Sequence, residues 1–138
     1  MTAGSSNQLS DEEFVSRFES CAFLPNEFHH REHIRLAWIY LKRYGALEAL
    51  ARTSDGLRRL AASLGKAERY HETITWAFVL LVNERMAKDC ARDWEEFART
   101  NPDLLDWKPS VLKQYYADEV LESEIARRAF VLPRGKRE

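Results

Sequence analysis

Two short segments hold all four histidines of the chain: His29-His30-Arg31-Glu32-His33 and Tyr70-His71-Glu72-Thr73. Imidazole titrates near neutral pH and is a common metal ligand. Three such rings in one short segment, with a fourth at the start of another apolar stretch, point to metal or acid/base chemistry. On a helix, residues three and four apart share a face. His30 and His33, or His29 and His33, therefore converge, whereas adjacent His29 and His30 diverge by about 100°. His30 falls on the stripe of Ile34, Ala37 and Leu41, and His29 on that of Leu36 and Tyr40. The first stripe reads as the core face, which favours His30 with His33. His29 is expected at the helix start, in an imperfect capping box with Glu32.

His71 shares a helical face with Thr75, Phe78 and Val82. Were its helix to lie beside the first, His30, His33 and His71 would form a three-histidine site. Such a site with an open position suits catalytic zinc, and iron and copper also accept imidazole. The expectation is therefore a small metal-dependent enzyme acting on a small organic molecule. His30, His33 and His71 would hold a divalent transition metal (Zn, Fe or Cu). Trp38, Thr75, Trp76 and Tyr115 are the candidate substrate contacts, and Glu72 a candidate acceptor orienting a ligand ring. Two alternatives stay open: a non-enzymatic helical binding or partner protein, and a histidine acid/base catalyst without metal. The literal H-x-x-E-H string of residues 29–33 is also a zinc-peptidase signature. The chain is small for such an enzyme and the helix too apolar for its open cleft, so that reading is set aside. The scattered glycines form no phosphate loop, and Met86 and Cys90 are assigned to packing.

Helices must position these residues, because no stretch alternates apolar and polar residues for long. Ser10 and Glu13 form a capping box, with Leu9 and Phe14 as its hydrophobic staple. Phe14, Phe18 and Cys21 give the core face of that first helix. The second runs from His29 or His30 to Tyr44, stopped by Gly45. The third spans about Ala46 to Leu64, with Leu47, Leu50, Leu57, Ala61 and Leu64 at helical spacing. The fourth spans about Ala67 to Lys88 and is the most apolar. Asp93 caps a short helix to Thr100, Asn101-Pro102 and Lys108-Pro109 read as further starts, and one or two helices cover Val111 to Arg128. Phe130 to Pro133 should pack back on the body. An up-down-up order makes the second and fourth helices parallel, which brings both histidine-bearing ends to one side. The expected fold is an all-α, single-domain bundle of about six to seven helices over residues 10–132. A flexible N-terminal segment, 1–9, precedes it and a basic tail, 133–138, follows.

The strings Phe28-x-His30-x-Glu32-His33-Ile34-x-Leu36-Ala37-Trp38 and Tyr70-His71-x-Thr73-Ile74-Thr75 resemble a family of small, uncharacterised bacterial proteins. The likeness extends through Asp103-Leu104-Leu105-Asp106-Trp107 and Tyr115-Tyr116, over most of the chain. It implies no activity. It does agree with choosing His30, His33 and His71, since His29 falls at a variable position of the pattern.

Composition bounds the reading from outside. The 138 residues suffice for one hydrophobic core, and 45% apolar with 31% charged residues is a globular balance. A net charge of -1 gives no global attraction for nucleic acid. Two distant cysteines, and a start without the basic and apolar regions of a secretory signal, lead to the expectation of a reduced, cytoplasmic setting. The expected partner is a small-molecule ligand. Neither nucleic acid nor membrane binding is expected, and a homodimer is left open.

Overall fold

A computed structural model describes residues 9–108 and 110–133. Among these the protein is all-α, with eight helices and no strand. Only an isolated bridge joins Trp107 to Ser110. No described helix is long and apolar enough to cross a membrane. The expected segments 1–9 and 133–138 lie almost wholly outside the described residues, as does the Pro109 helix start. Leu9 is described and packs against the core.

Helix α1, Asp11–Glu19, begins as its sequence dictates. Ser10 Oγ accepts the Glu13 N–H at 3.1 Å, and Glu13 accepts the Ser10 N–H at 3.0 Å. Phe14 and Phe18 are fully buried. Cys21 is not part of that helical face: it lies beyond the helix, half-buried, with φ 56°. Helix α2, His30–Tyr44, ends at Gly45, whose φ of 86° only glycine adopts freely. It is the most buried element, with Ile34 and Leu36 through Leu41 all in the core.

Helix α3, Ala46–Ser63, departs from the expected phase. Leu47 is 86% exposed, and the inward face is Ala49, Thr53, Gly56, Leu57 and Leu60. The small residues win because α1 crosses closely there. A Cβ on Gly56 would come within 2.2 Å of the Phe18 ring.

Helix α4 is Glu72–Lys88, shorter than expected. Residues Ala67–Arg69 form a separate 3-10 turn, and the α-helix waits for the cap supplied by His71. Helices α2, α3 and α4 pack on one another in pairs and form the body of the fold. Helix α5, Trp94–Thr100, is capped by Asp93. Helix α6, Pro102–Leu105, starts on proline as expected. Arg85 of α4 fastens it, reaching Asp103 at 2.6 and 3.0 Å and Asn101 at 2.8 Å.

The chain from Val111 breaks into a 3-10 turn, Val111–Gln114, and two short helices, α7, Asp118–Leu121, and α8, Glu124–Arg128. Residues 129–131 then return to α4. Thr73 Oγ1 donates to the Ala129 carbonyl at 2.8 Å and accepts the Val131 N–H at 3.0 Å. Phe130 stacks on Trp76 at 5.1 Å.

Candidate functional site

The starts of α2 and α4 lie side by side at one end of the bundle, as parallel helices require. Between them and α3 lies a cavity of about 780 Å³, in the range of small-molecule pockets. All four histidines line it. Helix α3 supplies an apolar wall of Leu57, Leu60, Ala61 and Leu64, closed at one point by Thr53. Helices α2 and α4 contribute Ala37, Ile74, Thr75, Phe78 and Val79. Phe28 and Trp107 close the histidine end, and Lys66, Arg69 and Tyr70 stand on the 3-10 turn beside it.

The rings differ in how their nitrogens are used. His71 is the N-cap of α4. Its Nδ1 accepts the Ile74 N–H at 3.1 Å and its Nε2–H donates to the Leu121 carbonyl at 2.7 Å. Both nitrogens are engaged, and no lone pair points into the cavity. His30 donates Nε2–H to the Leu104 carbonyl at 2.8 Å. A carbonyl only accepts, so the proton is on Nε2 and the lone pair on Nδ1. The His30 ring sits 4.6 Å from Phe78 and 5.1 Å from Trp107. Its pKa is lowered, first by burial; the Leu104 carbonyl and the charges of Asp106 and Glu32 act against that.

His33 is one turn on, half-buried, with its ring 5.0 Å from Phe28. Burial, reinforced by His30 and His29, pulls its pKa down to about 4. It is neutral at pH 7, with one donor and one acceptor, and its ring makes no hydrogen bond to another described residue. His29 is exposed and donates Nε2–H to the Asn26 carbonyl at 2.8 Å, while Glu32 accepts the His29 N–H at 2.7 Å. That is the half box expected from the sequence.

Fit to a metal can be judged from these positions. On a tetrahedral ion with bonds of about 2.1 Å, two imidazole centroids lie roughly 5 Å apart. Those of His30 and His33 are 6.5 Å apart, and the His71 nitrogens are already bonded. As placed, the three rings share a cavity but do not form a ligand set. No group of three or more His, Cys, Asp or Glu among the described residues does so.

The other expected site residues divide. Thr75 lines the cavity. Trp38 does not: it is 2% exposed, in a core cluster with Trp94 and Phe97. Trp76 is taken by Phe130, and Tyr115 is exposed away from the cavity wall. Glu72 orients no histidine. It accepts from Tyr70 Oη at 2.5 Å and from Arg58 at 2.8 Å. Sequence reasoning missed Lys66, Arg69, Tyr70 and the α3 wall. The signal was present in the Gly65-Lys66 break, which ends α3 just before the second histidine segment.

Comparison with known families, with curated proteins and with solved structures found no match to this chain.

Proposed function

We propose that the protein binds a small, mainly apolar organic molecule in the four-histidine cavity, and that His33 and His30 do acid/base work on its polar group. The observation that carries this is His33: a neutral imidazole in the wall of a roomy apolar cavity, with neither ring nitrogen hydrogen-bonded to a described residue. The ring is half-buried and borders the cavity, so a ligand there can hydrogen-bond to it. A neutral imidazole both donates and accepts, which allows it to pass a proton in either direction. His30 adds a second acceptor at Nδ1, its tautomer held by the Leu104 carbonyl. His71 positions rather than reacts.

The test is a screen of small aromatic and alicyclic alcohols, ketones and acids by ligand-observed NMR, against wild type and the cavity-filling Ala61→Trp. Binders should lose their signal with Ala61→Trp and should shift the His33 ring nitrogen resonances in wild type. If no class prefers wild type, or the binders leave His33 untouched, the reading fails. A metal-assisted version requires His71 to release Ile74 and Leu121. It is supported by the His30 tautomer, since a ring that donates to a carbonyl and keeps its other nitrogen unbonded is the usual outer arrangement of a metal-binding histidine. Stoichiometric zinc, iron or copper in untagged protein, lost in His33→Ala, would favour it over the metal-free reading.

A further inference from the structure

The ionisable groups on the cavity wall are of one kind. The chain carries 22 Asp and Glu, yet none of the described ones lines the cavity, whose ionisable side chains among the described residues are the four histidines, Lys66, Arg69 and Tyr70. Asp106 and Glu32 act on His30 only from beyond the wall. Some cations around the fold are matched, Arg58 by Glu72 and Asp55, Arg85 by Asp103 and Arg52 by Glu48, while the exposed Arg59 and Arg99 pair with no described carboxylate but line no cavity. Lys66 and Arg69 make no ion pair with any described residue. A protein of net charge -1 thus keeps two unmatched cations at the edge of an apolar cavity.

A second observation points the same way. Thr53 is 2% exposed and lines the cavity, and its hydroxyl has no hydrogen-bond partner among the described residues. A buried hydroxyl without a partner is costly. Its side chain therefore offers a further donor to a ligand that carries acceptor oxygens. None of the described side chains lining the cavity carries a full negative charge.

We propose that the ligand is the anion of an apolar carboxylic acid, its carboxylate held at the Lys66–Arg69 side, its hydrocarbon body against Leu57, Leu60 and Phe78, and the polar group on which His33 and His30 act a second, separate one. This rests on the small-ligand reading of the same cavity and adds the sign of the ligand's charge. A single carboxylate matches two singly charged side chains that stand without carboxylate partners. A cationic ligand would meet like charge at Lys66 and Arg69 and no carboxylate among the described lining residues.

Calorimetric titration of the full chain with decanoate, decan-1-ol and decyltrimethylammonium tests the proposal, with Lys66→Gln/Arg69→Gln as the variant. Both side chains are at the rim, so the variant should fold as wild type does. Decanoate should bind about tenfold more tightly than decanol, the effect of one partly desolvated charge contact, and the ammonium should bind most weakly. The variant should bring decanoate down to the level of decanol and leave decanol unchanged. Equal binding of decanoate and decanol by wild type would overturn the anion proposal and leave the cavity reading standing. So would a decanoate preference that survives in the variant. Failure of all three probes to bind, or binding undiminished in Ala61→Trp, would overturn both.

Discussion

His33 couples the site to pH through its environment. Its pKa is about 4 in the folded chain, against an ordinary value near 6.5. The charged groups that act on it are His30 and His29 on its own helix, and no described residue lining the cavity is a carboxylate. The unfolded chain binds the proton first. Stability from this group is therefore complete above about pH 7, falls as pH drops through 6.5, and levels off near 4. The difference is on the order of 3 kcal/mol. Urea denaturation of wild type and His33→Asn at pH 7.5 and 4.5 checks this: wild type should lose more stability than the variant by roughly that amount. Equal losses would mean that the ring is not held neutral by burial. The spacing of residues 29–33 made the placement of His30, His33 and His29 legible. It could not show which nitrogens the backbone would claim. Leu104 and Leu121 lie far along the chain from His30 and His71, so their carbonyls leave no trace in local pattern.

Helix boundaries were the most legible features, because each depends on side chains within a few residues. Ser10 with Glu13, Asp93, Asn101-Pro102 and Gly45 all act where the sequence puts them. The inward face of α3 was not legible from its leucines. Leu47 is exposed while Gly56 is buried, since the close approach of α1 selects small residues over apolar ones. This gives a sharp expectation. In an open helix Gly→Ala would stabilise by about 1 kcal/mol. At Gly56 the added methyl meets a fully buried Phe18 ring at 2.2 and 2.5 Å, and overpacking of that kind costs about 1–3 kcal/mol. Gly56→Ala should lower the urea midpoint, and Gly56→Ala with Phe18→Leu should recover part of the loss. A midpoint raised by the single change would place α1 farther from α3 than described. The same reasoning explains the short α4: the histidine that looked like a ligand is the cap that sets its first turn.

The last described segment, from α7 to residue 131, has only short helices and is held to the body chiefly through the first turns of α4. His71 reaches Leu121, Thr73 reaches Ala129 and Val131, and Trp76 stacks on Phe130. Tyr116 adds a hydrogen bond to the Val131 carbonyl at 2.6 Å. Thr73→Val keeps the shape but removes both bonds, leaving a carbonyl and an N–H without their partner, at about 1–3 kcal/mol. Amide exchange should accelerate over residues 124–131 well before it does in α2. Equal acceleration in α2 would show that the segment does not open as a separate unit. The bundle was predictable from helical periodicity. The return of Phe130 to Pro133 onto the body was legible as an apolar run; the His71 and Thr73 bonds that clasp the segment were not, because their partners are backbone groups far along the chain.

The cavity also has a meaning for how the sequence can vary. The cleft between the ends of α2, α3 and α4 leaves apolar wall uncovered, which natural selection has not filled with larger side chains. Substitutions that enlarge its wall should act in opposite directions on durability and on use. Ala61→Leu adds apolar atoms facing that space, each buried methylene being worth about 0.8 kcal/mol. It should raise the melting temperature of the free protein while weakening capture of decanoate. A melting temperature that falls, with binding intact, would mean that the wall at Ala61 is already closely packed. If the trade holds, the residues around the histidines are where a search for hardier variants would succeed first, and where every success would mark a position that evolution has kept small for its occupant.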